Sequence, residues 1–132
     1  MKIFIDASAF ISGFIERDLN HIQAIKFIES LNKTTNFCTS KLTYFESLTV
    51  ISKKFGLDTA KSFSQHFKNL PLKIYNISDT EVALAERILF SQRSKNISFF
   101  DCLYVSIMKS KGIKKIFTYD KDFKKLAVDI VG

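Results

Sequence analysis

Short apolar runs alternate with longer amphipathic stretches along the whole chain. Residues 2–5 (KIFI) are an apolar run closed by an acid, the pattern of a buried first strand. Residues 7–14 continue as a short helix ending near Gly13. After Asn20, a helix N-cap, Ile22, Ile25 and Ile28 share one face while Ala24, Phe27 and Leu31 widen it, which predicts an amphipathic helix. Residues 36–39 (NFCT) predict a second strand. Ser40 then caps a helix to about residue 54, with Gly56 at its C-terminal end. Residues 58–69 carry Ala60, Phe63 and Phe67 at helical spacing before Pro71, and residues 72–77 (LKIYNI) alternate like a strand.

Two capping boxes follow. Ser78 with Glu81 opens a helix to about residue 91, and Ser98 with Asp101 opens another to about residue 111, closed by Gly112. Residues 114–118 (KKIFT) predict a fourth strand, residues 121–126 a short helix and residues 127–131 (AVDIV) a last strand. Strands alternating with helices predict an α/β fold, a three-layer α/β/α sandwich on a mostly parallel five-stranded sheet, in one domain over residues 1–132. No repeat, linker or low-complexity segment interrupts it.

Composition agrees with a packed domain. The 132 residues are 46% hydrophobic and 25% charged, which excludes a disordered tail, a fibrous repeat and a disulfide scaffold. With 14 Phe and no Trp, the core must be built largely from phenylalanine. Cys38 and Cys102 lie far apart with no histidine near either, and read as reduced packing residues. The stretch after Lys2 superficially resembles a signal peptide, but Asp6 interrupts it and Glu16, Arg17 and Asp18 end it. No segment has the ~20 apolar residues of a membrane span. The expectation is a cytoplasmic protein with no membrane association. A formal charge of +7 points to a polyanionic partner without naming one.

Candidate chemistry lies at the ends of elements. In open parallel sheets, ligands bind outside the carboxyl ends of the strands. Asp6 ends the first strand, Asp120 follows the fourth, Asp101 sits in the first turn of a helix, and Glu46 lies on the helix after the second strand. Asp6 and Asp120 could equally cap the helices that follow, and Asp101 could serve only its capping box. Glu46 has Leu42 and Val50 four residues either side, so its carboxylate lies on a partly apolar ridge and needs a cation, either Lys53 or a metal. Together the four acids suit one or two hard divalent ions, and without metal they should raise one another's pKa values. With the four set aside, 20 basic groups face nine remaining acids, a balance of +11. A basic exterior around a compact acidic site suits cutting of a phosphodiester backbone.

The segments KIFIDASAF, SKLTYFESLTV, ISFFDCLYVSIMKSKG and IFTYDKDF, in this order, resemble the PIN-domain nucleases and, among them, the VapC-type ribonuclease toxins of toxin–antitoxin pairs. The resemblance runs from Asp6 to Phe123. It implies a Rossmann-like fold and a Mg²⁺- or Mn²⁺-dependent endoribonuclease, in which metal-activated water hydrolyses RNA to 5′-phosphate and 3′-hydroxyl ends. Asp6, Glu46, Asp101 and Asp120 would be the metal-binding catalytic acids, with Ser8 and Thr118 supporting them through their hydroxyls. Asp122 either supports the site or is a solvated turn residue. Arg93 and Lys95, just before the Asp101 helix, and Lys41, before Glu46, are the candidate RNA contacts. A small antitoxin and a homodimer, built on Phe-rich surfaces of the second to fourth helices, are the implied partners. His21 and His66 read as ordinary surface residues.

Other phosphate chemistries fit less well. A haloacid-dehalogenase-like phosphatase requires Asp where Ser8 stands, and a receiver domain requires a phosphoacceptor Asp ending a central strand. No G-x-x-x-x-G-K-[ST] phosphate loop is present. The alternatives that stay open are a non-catalytic PIN-like module that binds RNA or protein, and a stand-alone PIN nuclease in RNA processing.

Overall fold

The computed structural model describes all residues, 1–132. KIFI becomes β1 (Lys2–Ile5), whose alternating side chains are buried on both faces: Ile3 and Ile5 to one side, Phe4 to the other. α1 (Ala7–Phe14) and α2 (His21–Ser30) lead to β2 (Asn36–Ser40). α3 (Lys41–Phe55) and α4 (Leu57–Lys68) lead to β3 (Lys73–Tyr75), and α5 (Asp79–Phe90) and α6 (Phe99–Ser110) to β4 (Lys115–Phe117). A 3₁₀ turn over Lys121–Leu126 precedes β5 (Asp129–Val131).

All five strands are parallel, in the order β3-β2-β1-β4-β5. The chain winds outward from β1 to β3, then crosses back to β4 on the other side of β1. The crevice outside the carboxyl ends of β1 and β4 is therefore the switch point where such sheets take ligands. Helices α1 to α4 cover one face through Ile3, Ile5, Phe10, Phe63, Phe67 and Phe117. Helices α5 and α6 cover the other through Phe4, Cys38, Tyr104, Ile107 and Ile116. The result is the expected three-layer α/β/α sandwich, with an entirely parallel sheet.

The caps follow the sequence signals. Ser40 Oγ accepts from the Thr43 amide, and both serine boxes form reciprocally at Ser78/Glu81 and Ser98/Asp101. Gly112 adopts a left-handed φ of 69°, and the Ile113 amide reaches back to the Met108 carbonyl at 2.8 Å, a Schellman end to α6. Gly56, at φ 91°, is the single residue between α3 and α4, a turn an L side chain rarely permits.

Several expectations are corrected. On α2, Ala24 is the fully buried residue, with Phe27 and Leu31 packed beside it, while Ile22 and Ile28 are exposed. The residues that widened the predicted face are thus the ones that pack. The phenylalanines of α2 to α4 mostly turn inward: Phe63 and Phe67 are core, Phe27 lies 4.7 Å from the Phe117 ring, and Phe45 alone is half-exposed. The Phe-rich outer surface expected there is absent. β3 is shorter than residues 72–77 because its partner β2 ends at Ser40, opposite Tyr75. β5 starts only at Asp129 because Ala127 takes a left-handed turn after the 3₁₀ segment. Both cysteines are free and buried. No helix is long and apolar enough to cross a membrane.

Candidate active site

The ends of β1 and β4 are locked together by hydroxyls. The Asp6 amide donates to the Phe117 carbonyl at 3.0 Å, which sets Asp6 beside Thr118. Thr118 Oγ1 and Ser8 Oγ each donate to Asp6 Oδ2 at 2.8 Å. Those two hydroxyls in turn accept the amides of Asp120 and Tyr119, both at 3.0 Å. Each hydroxyl has one proton and spends it on Asp6, so the carboxylate is held at once from the first turn of α1 and from the residue after β4. Although Asp6 stands at the N-cap of α1, its side chain makes no capping hydrogen bond. Its position is not explained by helix capping.

The other acids keep their structural roles and still reach the same crevice. Asp101 completes its box with Ser98, its Oδ2 accepting the Ser98 amide at 3.3 Å. Asp120 Oδ1 accepts the Asp122 amide at 2.9 Å, capping the 3₁₀ turn. Glu46 Oε1 accepts a hydrogen bond from the Tyr104 hydroxyl at 3.2 Å. Lys53 does not pair with it, for the sole ion pair in the chain joins Lys125 to Asp122. In each of the four carboxylates one oxygen is used for positioning, and the other accepts no hydrogen bond of good geometry. None of those free oxygens is sealed from solvent.

Electrostatics show that the four form a set. Burial pushes Glu46 up to about 7, and the charges of Asp6, Asp101 and Asp120 add to the rise against the Tyr104 hydrogen bond. Asp101 is pushed to about 6, first by burial, with Asp6 and Asp120 adding and its Ser98 bonds opposing. Burial also raises Asp6, against the hydroxyls of Thr118 and Ser8 and the amides of Ala7 and Ser8. Burial and the Glu46 charge hold the Tyr104 hydroxyl far above its ordinary range, so it remains a proton donor. Four carboxylates share a crevice with no cation to offset them, an arrangement that calls for a positive ligand.

No three His, Cys, Asp or Glu side chains stand close enough together to form a ready-made metal ligand group. The four are linked through their charges, and hard carboxylate oxygens are the donor type that Mg²⁺ or Mn²⁺ takes one or two at a time while retaining several waters.

Of the remaining candidates, Ser8 and Thr118 stand at the centre of the site, while Asp122 faces Lys125 at 3.1 Å instead. Arg93 and Lys95 are exposed on the α5–α6 loop, and Lys41 is exposed at the start of α3. His21 Nδ1 donates to the Ser12 carbonyl at 2.7 Å, and His66 packs on Phe14; neither belongs to the crevice. Tyr104 joins the site through Glu46, a partner 58 residues away in sequence. Its signal was the three-residue spacing from Asp101, which puts both on one side of α6.

A family model for the PIN domain matches residues 3–129. A sequence search of curated proteins returns no match. The fold is similar to that of VapC20 from Mycobacterium tuberculosis, a Sarcin-Ricin loop cleaving toxin. The TM-score is 0.86 at 20% identity, over 96% of this chain and 95% of that one. It is also similar to VapBC2 from Rickettsia felis bound to a promoter DNA fragment (TM-score 0.77, 16% identity, 99% and 98% covered). A third likeness is to FitAcB from Neisseria gonorrhoeae (TM-score 0.75, 14% identity, 98% and 96% covered).

Proposed function

The chain belongs to the PIN-domain family, and on that premise we propose that it is a Mg²⁺- or Mn²⁺-dependent endoribonuclease, the toxin of a toxin–antitoxin pair. The observation that carries this reading is the set of four carboxylates, each anchored by one oxygen and each leaving the other free. Asp6, Glu46, Asp101 and Asp120 would hold the cation. When bound, such an ion lowers the pKa of a water and offsets charge at the scissile phosphate.

The chain's own residues prepare that chemistry. Ser8 and Thr118 fix the Asp6 carboxylate through Oδ2 and leave Oδ1 without a side-chain partner. Tyr104 orients Glu46, whose carboxyl is raised to about 7 by burial and its acidic neighbours, so that taking up a cation there would release its proton. Arg93, Lys95 and Lys41, exposed and unpaired, would grip phosphates flanking the cut. No histidine general base is required.

A small antitoxin is part of the same proposal. The solved relatives include a toxin–antitoxin complex from Klebsiella pneumoniae and VapBC from Salmonella typhimurium. An apolar hollow of about 470 Å³ between α1, α2 and α4, bordered by Ile25, Ile28 and Phe14, would seat an apolar segment of such a partner. The function is tested by incubating labelled RNA with the protein in Mg²⁺ or Mn²⁺, with EDTA, and with Asp101→Asn. Cleavage that needs the metal and is lost in the variant supports the proposal. Cleavage that survives EDTA and Asp101→Asn, or RNA binding with no cutting under any condition, refutes it.

A further inference from the structure

A second feature lies at the opposite pole of the sheet. The amino ends of β1, β2 and β3 border an open hollow of about 610 Å³. Lys2 enters it from β1, Lys33 from the α2–β2 loop and Lys73 from β3, with Asn36, Phe37 and Tyr75 among its walls. Register explains the convergence: Lys2 stands opposite Asn36, and Lys73 stands opposite Cys38 on the next strand. A fourth ammonium, that of Lys111 at the end of α6, lies 5.3 Å from the Tyr75 ring centre.

No carboxylate lines this hollow and none of these lysines makes an ion pair, Lys111 alone lying near an acid, Glu81. Edge protection accounts for Pro71 and Lys73, because lysine and proline on an edge strand deter pairing with other chains. It does not account for Lys2, on the central strand, or for Lys33, in a loop. Like charges gathered around one concavity repel until an anion enters. The aromatic walls and the open rim suit a chain with bases and phosphates better than a simple ion.

We propose that this hollow is a second RNA-backbone site, binding phosphates of the strand at a distance from the cleavage crevice. The identity of the strand as RNA rests on the function proposed above; the anion site itself does not. From Lys2 to Asp6 the chain runs four residues along β1, about 13 Å at ~3.3 Å per residue. A strand occupying both sites must therefore pass around the sheet, and a very short oligonucleotide cannot fill both.

The test uses fluorescence anisotropy with a labelled 20-nucleotide single-stranded RNA and a labelled tetranucleotide, in a background of Asp101→Asn to prevent cutting. Lys2→Ala/Lys33→Ala/Lys73→Ala is compared with its parent and with Lys53→Ala/Lys54→Ala/Lys61→Ala, which lies outside the hollow. All six lysines are exposed, so truncation leaves the core intact. Three lost phosphate contacts lower the slope of log affinity against log salt by about 2 for the 20-mer, at ~0.7 per contact. The control triple leaves the slope within about 0.5 of the parent, and the tetranucleotide, too short to reach both sites, binds the parent more weakly than the 20-mer does. An unchanged slope in the hollow variant, or equal losses in both triples, overturns the proposal. Competition by free adenosine monophosphate as strong as that by the 20-mer, per molecule, also overturns it in favour of a mononucleotide site. Wild-type protein that binds in this way but cuts no RNA refutes the nuclease reading while leaving the hollow in place.

Discussion

Replacing Glu46 by glutamine should stabilise the metal-free protein above neutral pH, although it removes a proposed catalytic acid. The Glu46 carboxyl sits at about 7 against an ordinary 4.5. A carboxyl raised on folding binds its proton more tightly in the folded state, so its contribution is fully present below pH 4.5 and is lost as pH rises through 7. At full weight that difference corresponds to about 3 kcal/mol. Glu46 is partly solvated, and screening halves it to about 1.5 kcal/mol. Glutamine keeps the size and the hydrogen-bonding oxygen for Tyr104 but carries no charge. Urea unfolding with EDTA should therefore show Glu46→Gln more stable than wild type by about 1.5 kcal/mol at pH 8, or about 6 °C in Tm. The gain should shrink to about 0.4 kcal/mol at pH 5, where folded Glu46 is already protonated. Adding Mg²⁺ should stabilise the wild type and narrow the gap at pH 8. A variant that is equal to or less stable than wild type at pH 8 would mean that Glu46 has a compensating cation within the chain, and the reasoning would fail.

Three further outcomes follow from the contacts. Thr118→Val removes one of the two hydroxyls on Asp6 and leaves the Asp120 amide without its acceptor. It should cost about 1–3 kcal/mol in urea unfolding and weaken Mn²⁺ binding by calorimetry about 10–100-fold. Tyr104→Phe removes the bond that favours ionised Glu46, so the acidic limb of the pH–rate profile should move to higher pH; a shift to lower pH would contradict the assignment. Phe63→Ala, at a fully buried ring touching Phe10, Phe14 and Tyr44, should lower stability by about 3–5 kcal/mol without changing the cleavage rate of the folded fraction.

The strand–helix order was legible because local signals and burial agree. KIFI has alternate residues buried on two faces, both serine boxes form, and Gly112 ends α6 as its φ requires. Asp6 and Asp120 could be placed at strand ends from sequence, since a parallel sheet aligns those ends. What periodicity could not decide was which half of a broad apolar face packs. On α2 the sheet and α1 accept Ala24 and Phe27, leaving Ile22 exposed. Nor could it choose between capping and coupling for Asp101 and Asp120, because both carboxylates cap their helices and also add their charge at Glu46. The Tyr104–Glu46 contact joins residues 58 apart, and only the packing of α3 and α6 on the same sheet creates it.

The central claim is that the four acids hold a divalent cation, and calorimetric titration with Mn²⁺ at pH 7 in two buffers of different ionisation enthalpy tests it most directly. Saturable binding should be accompanied by proton release, the largest share from Glu46 at about 7 and a smaller one from Asp101 at about 6. Proton release should fall in Glu46→Gln, and binding itself should be lost in Asp6→Asn. Absence of binding, or binding that both variants leave unchanged, would contradict it.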